Sequence, residues 1–183
     1  MTDRNNLLLS LLIGLFCAIS SAQAASPDNT DLDNPVLQFA KAGFERKLNT
    51  LSQAIRRCHR VELASSHKLD LAKSGLSKEK LARMVQFVSE RNFRRCEGHT
   101  RAEASYALHT YSKVLDHYGV DRPHLNASNL SQVNRTLFEP DIRYVQRAAE
   151  FQSLPQRTQD YLQKSLGTEP FDPVKTYQRS VPP

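Results

Sequence analysis

The chain has 183 residues, with 25 Lys and Arg against 19 Asp and Glu, a net charge of +6 and a pI near 9.4. That length bounds one domain, large enough to bury a core, and the scarcity of glycine (six, with no Trp) favours helices. Beyond the first two dozen residues nothing is apolar enough to span a membrane, so no transmembrane helix is expected once that leader is removed.

The leader itself reads MTDRNN, then LLLSLLIGLFCAIS, then SAQAASPDN. A short polar start, an apolar core and a small-residue site at Ala22-Gln23-Ala24 have the anatomy of a secretory signal peptide over residues 1–24. The apolar run is too short for a spanning anchor, and Phe16 directly before Cys17 argues against a lipoprotein. The expected destination is the periplasm if the source is bacterial, and the exterior otherwise.

Cleavage leaves +6 on the remaining residues, unevenly spread. From Lys41 to Lys113 there are 16 Lys and Arg against 7 Asp and Glu, whereas the rest of the exported chain has 8 against 11. The positive field belongs to one segment.

Residues 25–34, ASPDNTDLDN, are acidic and turn-rich and are expected to be flexible. A single helical domain is expected over 35–178, with a short tail at 179–183. Its first helix is predicted from Asn34 to about Lys73, with the apolar stripe Leu37, Phe44, Leu48, Leu51, Ile55 and Cys58. Asn34 suits the N-cap, and Pro35 the first turn. Gly75 then stops the helix, Ser77 caps the next, and Leu81, Met84, Val85 and Val88 continue helical spacing toward Tyr118. Gly98 marks a potential kink.

Two echoing stretches, IRRCHR at 55–60 and FRRCEG at 93–98, place Cys58 and Cys96 equally far from Ser77 in the proposed turn. Folding there brings the sulfurs level, and these are the only cysteines left after cleavage in an exported chain. The predicted fold is therefore all-α: a long antiparallel helical hairpin linked by a Cys58–Cys96 disulfide, with shorter C-terminal helices packed against it. Partner numbers summing to about 154 set Leu48 near Tyr106, Ile55 near His99, Leu69 near Val85 and Glu62 near Asn92. The last pair makes a polar layer that either fixes register or, the favoured reading, is solvated where the helices splay.

After Gly119, VDRPHLNASNLSQVN is rich in turn formers, and three shorter helical patterns follow. Ile142, Val145, Ala149 and Phe151 are expected to face the hairpin, together with Tyr161, Leu162 and Leu166. The hairpin tip, with Leu71, Leu76, Met84 and Phe87, is too broadly apolar for one partner helix, so a C-terminal helix is expected to cover it. Asn126, Asn129 and Asn134 each begin an N-x-S/T tripeptide, a glycan acceptor in a eukaryotic secreted protein and a turn or cap residue otherwise.

Arg56, Arg57, Arg60, Arg91, Arg94 and Arg95 would form a collar round the sulfurs, able to receive a phosphate, a carboxylate-bearing polymer or an acidic protein. The competing account is a solvated face whose charges are met by Glu90, Glu97 and Glu62. Cys58, His59, Cys96 and His99 are the right number of donors for zinc, but adjacent positions 58 and 59 point about 100° apart round a helix. No metal or other cofactor is expected.

His109 and His117, near Tyr106, Tyr111 and Asp116, are the candidates for acid–base chemistry, although no catalytic motif orients them. The composite reading is a noncatalytic binding or adaptor protein of the cell envelope, whose basic hairpin meets an anionic protein, glycan or lipid head group. Nucleic acid is disfavoured by compartment. The alternatives are a small helical hydrolase or transferase using His109 or His117, and a metal or redox sensor through Cys58 and Cys96.

Overall fold

A computed structural model describes residues 34–120 and 141–181. The leader, residues 25–33 and Asn126, Asn129 and Asn134 lie outside the described residues. Within them are six helices and no strand: α1 (Pro35–Ala64), α2 (Leu71–Ser74), α3 (Lys78–His117), α4 (Ile142–Gln152), α5 (Gln156–Leu166) and α6 (Pro173–Ser180). The long helices α1 and α3 pack against each other.

Local chemistry sets their ends. The Asn34 carboxamide oxygen accepts from the Val36 backbone N–H at 2.8 Å, leaving Pro35, which has no N–H to satisfy, in the first turn of α1. At the hairpin tip Gly75 takes φ 65°, the left-handed conformation that costs other residues, and the Ser77 hydroxyl accepts from Lys80 N–H at 3.3 Å to start α3. Gly98 does not break α3, which runs as helix through it.

The described residues fall into two compact units, to each of which both long helices contribute. One combines residues 34–53 with 100–120. Its core is Leu37, Phe44 and Leu48 from α1 against Leu108, Tyr111 and Leu115 from α3, with the Phe44 and Tyr111 rings stacked at 6.0 Å. A Lys47–Glu103 ion pair at 2.7 Å flanks it. Tyr106 does not meet Leu48 as the summed numbering suggests; it is 74% exposed, and Leu48 clusters with Leu108 instead. The buried stripe of α3 here is Ala104, Leu108, Tyr111 and Leu115, whose steps of four, three and four keep one helix face inward.

The other unit joins Ala54–His99 to residues 141–181, and its covalent centre is the Cys58–Cys96 disulfide, with Cα atoms 6.0 Å apart. Met84, Val85, Phe87 and Val88 of α3 are buried against Phe151, Leu154, Leu162, Leu166 and Phe171, so the tip is covered by C-terminal segments. Helix α4 meets that core through a different face from the one expected: Phe151 is buried and Tyr144 and Ala148 pack beside it, while Ile142 and Val145 are 60% and 55% exposed. The spacing Tyr144, Ala148, Phe151 is as helical as the stripe chosen from sequence. Phe151 belongs to both stripes, and the Tyr144 ring, which packs on Phe87 at 5.5 Å, turns the helix toward the observed one.

The first helix also ends sooner than its periodicity implies. Beyond Ala64, residues 65–70 run as an extended strap whose backbone groups are satisfied by side chains from the C-terminal helices. Thr176 accepts from His67 N–H at 3.0 Å, Ser180 from Leu69 N–H at 2.8 Å, and Tyr161 from Asp70 N–H at 2.7 Å, while Asp172 N–H donates to the Ser65 carbonyl at 2.8 Å. At His67, Leu69 and Asp70 a side-chain oxygen takes the place of the helical carbonyl, so leaving the helix strands no donor at those three positions. Asp70 then caps α2, accepting from Ala72 and Lys73 N–H.

Closing a loop across 38 residues stabilises a fold by about 4 kcal/mol through lost unfolded-state entropy. Cys58→Ser with Cys96→Ser is therefore expected to lower the unfolding free energy by roughly that amount, read by urea denaturation of oxidised wild type against variant.

The strap also carries a pH dependence. The His67 ring lies edge-on to Phe171 at 5.0 Å, and partial burial, followed by the nearby Arg179 charge, lowers its pKa from 6.5. The unfolded chain then binds the proton more readily, so this contribution is complete above about pH 6.5 and is lost as pH falls through the window between that value and the lower folded pKa. Thermal unfolding scans across this range are expected to show a slope that His67→Gln flattens.

Candidate functional site

Seventeen Lys and Arg stand against ten Asp and Glu among the described residues of the disulfide-bearing unit, compared with five against three in the other. The surplus sits mainly on the middle of the hairpin. The six arginines singled out by sequence do not share one role.

Two of them are structural. Arg94 on α3 donates to Glu90 at 3.1 Å and to Asp141, the cap of α4, at 3.3 Å, and its guanidinium lies 4.1 Å from the Tyr144 ring centroid. Glu90 is shared, because Arg147 of α4 also pairs with it. Arg91 lays its guanidinium over the Phe87 and Phe151 rings at 5.8 and 5.5 Å, with its buried Nε lacking a hydrogen-bond partner. Burial, and then the charge of Arg95, pulls its pKa below the ordinary arginine value. Arg83 adds a third tie, bonding Glu150 at 2.9 Å and holding that carboxyl below the usual range. These contacts fix α4 to α3 through cation–π stacking and charge-assisted hydrogen bonds.

The other four are different. Arg56, Arg57 and Arg60 on α1 and Arg95 on α3 are exposed, and none has an ion-pair partner among the described residues. Glu62, which sequence reasoning offered as a compensating charge, is turned inward. Its carboxylate meets His59 Nδ1 at 3.0 Å, and its side chain is nearly buried. Asn92 is fully buried and donates to the carbonyls of Gly167 and Glu169 at 3.1 and 3.0 Å. The polar layer expected to be solvated is thus interior, with Asn92 tying α3 to the loop after α5. Isolated charges on an α1–α3 pair could not reveal this, because the loop that dries the layer comes from 75 residues further along the chain.

The sulfurs are bonded to each other, and no group of three or more His, Cys, Asp and Glu suited to a metal occurs among the described residues. His59 is engaged with Glu62, and His99 lies exposed on α3. His109 and His117 are also exposed, the latter ring edge-on to Tyr118 at 5.0 Å. Among the described residues no helix is long and apolar enough to cross a membrane.

Sequence reasoning missed Arg147 and Arg83 as members of this charge system. The available signal was Tyr144, Arg147 and Phe151 on one side of α4, an arginine set between aromatics on an inward-facing stripe.

No protein-family model, curated protein or solved structure matches this chain.

The division of roles has a stability signature. Arg91→Ala removes the stack on Phe87 and Phe151 and is expected to cost about 1–2 kcal/mol. Arg95→Ala, relieving repulsion on an exposed face, is expected to stay within about 0.5 kcal/mol of wild type, both measured by urea unfolding.

Proposed function

We propose that this chain is an exported, noncatalytic binding or adaptor protein of the cell envelope, and that its basic hairpin engages an anionic protein, glycan or lipid head group. The observation that carries the reading is the set Arg56, Arg57, Arg60 and Arg95, exposed beside the disulfide with no carboxylate paired to them among the described residues. Like charges on one surface repel, and an anionic partner converts that repulsion into attraction. The secretory-type leader in the sequence supports the compartment, and the disulfide agrees with an oxidising one.

The catalytic alternative rests on His109 and His117, whose exposure on α3 gives neither the buried, oriented setting that acid–base work needs. The sensor alternative rests on Cys58 and Cys96; in the bonded form they offer no thiolate to a metal, and a redox role would require their reduction.

On an acidic-polymer matrix at low ionic strength the oxidised protein is expected to be retained and then released by salt. Replacing Arg56, Arg57, Arg60 and Arg95 by Ala should shift elution to clearly lower salt, more than replacing the exposed Arg157 and Lys164 of α5 does. Retention that ignores salt, or an equal shift for both variants, would count against the reading.

A further inference from the structure

The position of the two arginines that immediately precede the cysteines follows from helix geometry. Each residue turns the side-chain direction by about 100°, so Arg57 and Arg95 both lie a quarter turn or slightly more behind the half-cystine that faces the partner helix. In an antiparallel pair the two helices are related by a local two-fold axis through the disulfide, and equal rotations in the N-terminal direction arrive on the same edge of the pair. A parallel pair would send them to opposite edges. The residues one step after the cysteines, His59 and Glu97, accordingly belong to the other edge. Burial agrees with the assignment: Arg57 and Arg95 are exposed, whereas His59 is half-buried and Glu97 is 3% exposed.

The spacing suits joint action. With the half-cystine Cα atoms 6.0 Å apart, the Arg57 and Arg95 Cα atoms stand roughly 12 Å apart across the edge, a gap that two arginine side chains close from either side. The Arg95 charge is felt at Arg91, which is itself stacked on Phe87 and Phe151 and so takes no part in the pair. The covalent bridge holds both backbones in this relation.

We propose that Arg57 and Arg95, set symmetrically across the Cys58–Cys96 bridge, form a two-armed receptor for a phosphate monoester dianion. A carboxylate holds its acceptor sites in one plane, and a single guanidinium fork takes the two that face it. A tetrahedral phosphate offers oxygens in divergent directions, so two forks approaching from opposite helices each find a pair of acceptors. Binding is then a matter of fork geometry as well as charge, and the disulfide is the positioning element. This rests on the reading of the face as an anion-binding one, which a diffuse positive field alone would also satisfy.

The test uses the oxidised protein, inorganic phosphate as the free probe, and phosphatidylcholine vesicles carrying either phosphatidic acid or an equal charge of phosphatidylglycerol as the lipid probes. Calorimetry with phosphate and vesicle co-sedimentation are the readouts. Arg57→Lys with Arg95→Lys keeps the charge and removes the forks. It is expected to weaken the monoester probes about tenfold while leaving elution from the acidic polymer unchanged. Cys58→Ser with Cys96→Ser should weaken the same probes at constant charge. Phosphate binding without vesicle capture assigns a soluble phosphoester, and preference for phosphatidic acid over phosphatidylglycerol assigns a lipid head group, each supporting the receptor. The double lysine variant binding as wild type does, or capture of both vesicles alike with no phosphate binding, overturns it. Loss of polymer retention in wild type would overturn the anion-binding reading itself, whereas polymer retention with no binding of either monoester probe overturns the receptor alone.

Discussion

One covalent distance governs the hairpin: Cys58 and Cys96 cannot bond unless α1 and α3 approach within the 6.0 Å Cα separation observed there. Register near the bridge follows, because pinning one pair of positions limits how far the adjoining turns of the two helices can slide. The bridge also determines which charges share an edge. In a looser hairpin, rotation of either helix would carry Arg57 or Arg95 away from the other. With the sulfurs bonded, the repeated Arg-Arg-Cys element becomes a spatial repetition, and repulsion that would otherwise splay the helices is opposed by a bond it cannot break.

Much of this was legible because it depends on spacing that the chain writes out plainly. Equal distances from Ser77 identified the bridge, Gly75 and Ser77 identified the turn, and the stripe Leu37, Phe44, Leu48 identified the buried side of α1. The failures share a different cause. Asn92 is interior where the carbonyls of Gly167 and Glu169 receive it, Glu62 is turned in against His59, and the strap at 65–70 leaves the helix where Thr176, Ser180 and Tyr161 supply its acceptors. Short polar residues on a C-terminal helix read locally as caps or solvated positions. Only their distant backbone partners make them structural, and that information lies in the tertiary fold.

The arginines were legible as a group and not as individuals. Composition shows a basic segment, but a guanidinium has three uses here: stacking on rings, as Arg91 does; bridging carboxylates, as Arg94 and Arg147 do; and facing water, as Arg56, Arg57, Arg60 and Arg95 do. The sorting is made by α4. Its aromatics receive Arg91 and Arg94, its cap Asp141 completes the pairing of Arg94, and Glu150 takes Arg83. Glu90, Asp141 and Glu150 are thereby committed to fastening α4, and none of the three pairs with Arg57 or Arg95.

That allocation bears on the proposed anion site. Each exposed like-charge pair costs little in water, on the order of 1 kcal/mol at close range and less with salt, so a fold held by a disulfide worth several times as much tolerates it. Tolerance alone would be met as well by lysine, whose flexible ammonium finds solvent more easily. Arginine at all four exposed positions brings planar forks with fixed donor directions, and such donors reward a backbone that does not shift. The bridge supplies that rigidity at residues 58 and 96, one step from two of the forks. Covalent constraint and donor geometry therefore act on the same few atoms, and selectivity at the proposed site would rest on that coincidence rather than on the size of the net charge.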